Sequence, residues 1–177
     1  MRRAYAIAAV TLALDQASKI AVVDIMDLRT LGEIEVAPPY LVLRMAWNRG
    51  INFGLFSGGG DAGRWILVAI ALVVTLWVWR WAARILRDRP PRAGLIAASA
   101  GLLAGGAIGN AIDRLLRPEA AVADFINMSC CGFSNPYAFN VADIAIFAGI
   151  AGLLLLAPPP KASEADQKRI PPGPGME

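Results

Sequence analysis

"AFNVADIAIFAGIAGLLLLAPPP", from Ala138 to Pro160, is the stretch that decides how the rest of this chain is read. Apolar residues fill nearly all of it and three consecutive prolines close it, the pattern of a helix that crosses a bilayer and then stops. The exception is Asp143, a carboxylate set in the first turns. An Asp at the centre of a membrane span costs about 2.5–3.5 kcal/mol on insertion scales, and less near an interface. A charge kept at that cost marks a place where the chain needs an acid.

The composition supports the membrane reading. Of 177 residues, 56% are hydrophobic and the mean hydropathy is +0.51, too apolar for a soluble domain of this length. The net charge of +3 is small and spread along the chain, so nothing resembles a basic, aromatic-interleaved surface for nucleic acid. The chain has no histidine, which excludes a Ser-His-Asp triad, a Cys-His pair and any histidine-based zinc site. Acid–base chemistry must come from Asp, Glu, Lys or Tyr. Cys130 and Cys131 are adjacent; a pair alone does not complete a tetrahedral metal site, and they read as small apolar filler. No metal and no cofactor are expected.

Working outward from the last span, three more segments have the required length. They cover residues 5–26, interrupted by Asp15, Lys19 and Asp24; 65–86, which begins "WILVAIALVVTLWVW"; and 94–113; the last span covers 139–157. The opening Met-Arg-Arg and apolar run could mimic a signal peptide, but it continues to Met26 with polar residues inside and no A-x-A-like site, so it reads as a span. Lys and Arg are densest at the N-terminus, between the second and third spans and in the tail, which predicts that both termini are cytoplasmic. Residues 27–64 and 114–138 then form the outer loops, 1–157 a single domain, and 158–177 a Pro-rich disordered cytoplasmic tail. In the first outer loop, "YLVLRMAWN" (Tyr40–Asn48) alternates loosely and predicts short strands on the outer surface. "GGGDAG" (Gly58–Gly63) has G-x-G-x-x-G spacing without a surrounding βαβ unit, and reads as a turn.

Polar residues converge on the outer ends of the last two spans. Ala97, Gly101, Gly105 and Gly109 recur every four residues, a small-residue face for close helix packing, and Asp113 continues it with Asn110 nearby. Asn140 and Asp143, three apart, share a helix face. The intervening loop supplies "VADFI" (Val122–Ile126), with Asp124 inside an apolar pentad. Three carboxylates therefore gather at one membrane face with no lysine nearby, leaving Arg114 and Arg117 as the cations. Two close carboxylates do not both ionise cheaply, so one holds a proton near neutral pH. Such a pair can activate water and protonate a leaving amine without histidine or metal. The competing reading is an ion-pair and capping network that ties helix ends together, a role that also suits Asp15 and Lys19 at i and i+4.

Five motifs in order resemble the bacterial lipoprotein signal peptidases, or signal peptidase II. They are "DQASK" (Asp15–Lys19), "NRGINFG" (Asn48–Gly54), "GNAIDR" (Gly109–Arg114), "VADFI" and "FNVAD" (Phe139–Asp143). The resemblance implies an all-α integral membrane protein of four transmembrane helices, with a small extracytoplasmic β-cradle and a surface helix. It implies an aspartic endopeptidase of the bacterial inner membrane that acts at the outer face. The substrates would be prolipoproteins carrying a diacylglyceryl group, cut just before the lipidated cysteine. By the same match Asp124 and Asp143 are the catalytic pair, a choice spacing alone leaves open between Asp113 and Asp124. Asn48, Gly50, Asn110, Asp113, Arg114 and Asn140 are the supporting residues. Asn52 departs from the small residue the family usually has there. The expected partners are lipidated prolipoprotein and membrane lipid, with no nucleic acid, and the protein is expected to act as a monomer. The alternative from another class is a small proton-coupled transporter, for which Asp15 would be the one charge at mid-depth; a non-enzymatic assembly factor is a third.

Overall fold

A computed structural model describes residues 1–50 and 60–156 of the chain. Asn52 and the proline-rich tail, with the disorder expected for it, lie outside the described residues. The first helix, α1 (Arg2–Lys19), is rich in alanine and leucine and continues directly into a π-helical stretch, Ile20–Ile25. A single turn, α2 (Leu28–Leu31), precedes two strands, β1 (Glu33–Ala37) and β2 (Leu41–Asn48). Then follow α3 (Gly60–Arg87), α4 (Ala93–Leu116), β3 (Val122–Asn127) and α5 (Val141–Leu156).

Three of these helices are long and apolar enough to cross a membrane: Arg2–Ile25, Ala62–Arg87 and Ala93–Leu116. The 16 residues of α5 rise about 24 Å, short of a hydrocarbon core of about 30 Å. Within the bundle α4 is central. Its most apolar stretch is 72% buried by protein, against 22% and 17% for the other two long helices. The glycine face explains why α1 comes so close. A β-carbon at Gly105 would lie 2.6 Å from the Ala8 carbonyl oxygen, and one at Gly109 would lie 2.5 Å from Asp15 Oδ2. One residue on, Gly106 does the same for α5, where an added β-carbon would meet the Ala142 carbonyl. With α1 on one side and α5 on the other, α3 packs Val78 and Ala82 against Ile96, Ala100 and Leu103 in the first half of α4, and Arg64 of α3 donates to the Leu115 carbonyl near its end at 3.2 Å. Leu76 and Trp77 of α3 and Phe147, Leu154 and Leu155 of α5 point away from the bundle, as lipid-facing side chains do.

The strands form one antiparallel sheet in the order β1-β2-β3. The β2–β3 register sets Asn48 opposite Val122 and Ala46 opposite Asp124, with an irregularity between Leu43 and Ala46. Leu43, Ala123 and Phe125 bury one face of this sheet against Val23 and Leu28, at the end of the first helix. The sheet is therefore a lid of strands on the helix ends that carry the polar residues.

Two expectations need correction. The turn read into Gly58–Gly63 is too long, because α3 already begins at Gly60; the glycines lowered the apparent helicity of what is the helix start. Cys130 and Cys131 do not fill a core. They are exposed free thiols in a tight turn that the Phe133 N–H closes on the Cys130 carbonyl at 2.8 Å.

Candidate active site

Alternation along β3 aims its acid. Ala123 and Phe125 face the apolar core, so Asp124 between them points the other way, toward the helix ends. It is only 5% exposed. The Asn48 amide, at the end of β2, donates to Asp124 Oδ2 at 3.2 Å. The Asn140 amide donates to Asp124 Oδ1 at 2.6 Å.

Asn140 stands immediately before α5 and caps it. The Asp143 N–H donates to Asn140 Oδ1 at 2.9 Å, and the Asn140 N–H donates back to Asp143 Oδ2 at 3.1 Å. This is a capping box built from Asn and Asp. The backbone donor also fixes the Asn140 amide: its oxygen must face the Asp143 N–H, so its NH₂ must face Asp124. One residue thus touches both carboxylates. From α4, Asn110 donates to Asp143 Oδ1 at 2.9 Å and accepts from the Asn140 amide at 3.2 Å. The loop before α5 is held to β3 by Asn127, which donates to the carbonyls of Asn135 and Tyr137 at 2.8 and 2.7 Å.

Asp124 and Asp143 differ from Asp113 in what surrounds them. Asp113 Oδ2 accepts the Ala123 N–H at 3.2 Å and lies 2.8 Å from Lys19 Nζ. Its Oδ1 accepts from Gln16 at 3.2 Å and lies 3.4 Å from Arg117 Nε. Both oxygens are therefore occupied by a cation and a second donor. The expectation of carboxylates with no lysine nearby is wrong: Lys19 is fully buried among them, 2.8 Å from Asp15 Oδ2 and from Asp113 Oδ2. Nor is Asp15 an isolated charge at mid-depth. Its Oδ1 accepts the Ala142 N–H at 3.0 Å, in the first turn of α5. The sequence carried a signal for this, an Asp and a Lys one turn apart inside an apolar helix, but not the partner 94 positions downstream, since Asp113 is distant in the chain.

Of the remaining expected residues, Arg114 is close by. Arg114 donates to the Asn110 carbonyl at 3.3 Å and lies within electrostatic reach of Asp124, Asp113 and Asp143. Gly50 follows the end of β2 by two residues. Burial pushes the Asp124 carboxyl up to about 7 from an ordinary 3.8, and the neighbouring Asp143 charge pushes the same way. The amides of Asn48 and Asn140 and the charge of Lys19 pull against this without cancelling it. The cluster thus pairs an acid that holds its proton near neutral pH with a second acid that accepts on both oxygens, an arrangement suited to moving a proton on and off water.

The family model for signal peptidase (SPase) II matches residues 7–157. A lipoprotein signal peptidase of Methylobacterium sp. (strain 4-46) is 41% identical over 150 residues, covering 85% of this chain and 85% of that protein. One from Methylorubrum extorquens (strain PA1) is 42% identical over 158 residues, covering 88% and 86%. One from Caulobacter vibrioides is 39% identical over 153 residues, covering 86% and 84%. Two solved structures of bacterial membrane enzymes have a similar fold. The first superposes with a TM-score of 0.70 at 25% identity, over 89% of this chain and 94% of that one. The second does so with 0.68 at 22% identity, over 100% and 96%. The matched region takes in the glycine face of α4, the strand bearing Asp124 and the cap bearing Asp143, and with them this chain belongs to the signal peptidase II family.

Proposed function

We propose that this protein is an aspartic endopeptidase that removes the signal peptide from diacylglyceryl-modified prolipoproteins, cutting before the lipidated cysteine, with Asp124 and Asp143 as its catalytic pair. The observation that carries the reading is Asn140, which donates to Asp124 through its amide and to Asp143 through its backbone. A residue so placed holds two carboxylates at a fixed separation while leaving one of them its proton.

In the proposed reaction Asp143 takes a proton from water as that water attacks the scissile carbonyl, and Asp124 gives its proton to the carbonyl oxygen. The tetrahedral intermediate then collapses: its carbon–nitrogen bond breaks, and a proton returns through the pair to the amine of the lipidated cysteine. Asn48, Asn110 and Asn140 hold the carboxylates, while Asp113 and Arg114 hold the end of α4 beside them. We place the protein in the bacterial inner membrane with four spans, α5 being the fourth, both termini cytoplasmic and the site at the outer face. The Lys and Arg distribution supports this orientation. Against a proton-coupled transporter, the buried charged residues among those described, Asp15, Lys19, Asp113 and Asp124, lie in one cluster and form no chain through the bundle.

The test is cleavage of a lipidated prolipoprotein by purified protein in detergent. Asp124→Asn and Asp143→Asn should each abolish turnover, because an amide neither takes a proton from water nor delivers one, and each variant should remain folded. Near-native turnover by either variant would remove that residue from the pair.

A further inference from the structure

Lys19 stands outside both the proposed pair and the supporting residues named so far, yet its ammonium is fully buried in the middle of the cluster. An ammonium has three protons to donate. The Lys19 ammonium donates to Asp15 Oδ2 and forms an ion pair with Asp113 Oδ2, each 2.8 Å away. A third contact reaches past the ion pairs to Asn110 Oδ1, at 3.3 Å. An ion pair that only joined α1 to α4 would need the first two contacts. The third enters the site, because the other end of that amide donates to Asp143 Oδ1 at 2.9 Å.

We propose that Lys19 is a positioning residue for this site: its ammonium holds Asn110 with the amide oxygen toward α1 and the NH₂ toward Asp143. The inference rests on the reading of Asp124 and Asp143 as the catalytic pair. Because a lysine only donates, the amide next to it has one permitted orientation. The same ion pair also anchors the helix that bears Asp143, since the partner carboxylate of Asp15 accepts the Ala142 N–H at 3.0 Å. Asp143 is therefore held from α1 by two routes, one through Asn110 and one through Asp15 and the adjacent peptide.

The charge of Lys19 has a second effect that a spacer would lack. The groups facing Asp124 are Asp143 from α5, Arg114 from α4, the Asn48 amide from β2, the Asn140 amide at the start of α5, and Lys19 from α1. Lys19 favours the ionised form of Asp124, opposing burial and Asp143. Without it, Asp124 keeps its proton to higher pH.

The test compares wild type, Lys19→Met, Asp113→Asn and the double variant Lys19→Met/Asp113→Asn, the effect of Lys19 being read between the last two. Lys19→Met alone strands two buried carboxylates and can prevent folding; the double change removes one charge of each sign. In the folded double variant kcat should fall by about 10²-fold below that of Asp113→Asn, as expected for a misplaced catalytic group, with KM nearly unchanged. The protonated-carboxyl band of Asp124, followed by infrared titration and identified by its absence in Asp124→Asn, should persist to higher pH than in Asp113→Asn. A folded double variant with the kcat of Asp113→Asn and an unmoved Asp124 titration would overturn the proposal. The infrared readout needs no substrate, so it separates this inference from the peptidase reading. If wild type and Asp143→Asn cleaved equally well, the peptidase reading would fail, while the titration would still report on Lys19.

Discussion

Asp124 and Asp143 share Asn140 as a neighbour, yet their surroundings make them unequal. Asp124, raised to about 7, keeps its proton below neutrality and loses it as pH rises through the neutral range. The consequence for activity is an alkaline limb: kcat/KM should fall by about tenfold per unit once pH passes about 7. A profile measured from about pH 6 to 9 that stayed flat would remove Asp124 as the proton donor. The consequence for stability has the same sign. Between 3.8 and about 7, the folded protein holds a proton that the unfolded chain has released, so the contribution of Asp124 to stability declines as pH rises through that window. Asp113 belongs to a different class, with a cation and a further donor at both oxygens. Asp113→Asn should lower the melting temperature, by an amount corresponding to about 3–5 kcal/mol if Lys19 is left underpaired, and should reduce turnover less than either change in the pair. A stable but fully inactive Asp113→Asn would exchange its role with that of Asp124. Spacing alone could not separate these two acids, because both sit in apolar surroundings near a helix end. What separates them is the set of donors, and several of those, Gln16 and Lys19 for Asp113 and Asn48 for Asp124, come from residues far away in sequence.

At the scale of elements, the four-residue recurrence of small residues on α4 was legible because helical geometry converts it directly into a face. That face receives α1, and its last glycine abuts the buried ion pair. Gly109→Ala places a methyl group where Asp15 Oδ2 now lies. It should destabilise the protein by about 1–3 kcal/mol, the usual cost of overpacking, and lower turnover as well, because displacing Asp15 loosens the first turn of α5. Thermal denaturation and the cleavage assay on the same preparation check both effects; an alanine variant matching wild type in both would show that the contact can relax freely. The strand at Tyr40–Asn48 was likewise readable from alternation, and appears as β2. The start of α3 was not, since glycines at a helix beginning look like a turn. Nor was the π-helical stretch Ile20–Ile25, whose apolar residues would suit ordinary helical turns equally well.

Across the whole molecule, the polar cluster lies at one end of an apolar bundle, under a small sheet. A substrate held in the bilayer by acyl chains therefore arrives already confined to the depth of the carboxylates. Burying an acyl chain is worth about 0.8 kcal/mol per CH₂, far more than one polar contact. Removing the diacylglyceryl group from a prolipoprotein should lower catalytic efficiency by several orders of magnitude with the peptide unchanged. Equal turnover of matched lipidated and unlipidated substrates in the same detergent would refute delivery by lipid. The buried bond from Asp15 to the Ala142 N–H spans 127 positions, and it bears on biogenesis. The first helix leaves the ribosome long before the last, and its Asp15 waits throughout for the Ala142 N–H. A nascent chain halted after β3 has Asp124 but neither Asn140 nor Asp143, so a partly made copy lacks half of the proposed pair. On the proposed pair, proteolytic competence should come only with the final segment, a checkpoint set by synthesis itself.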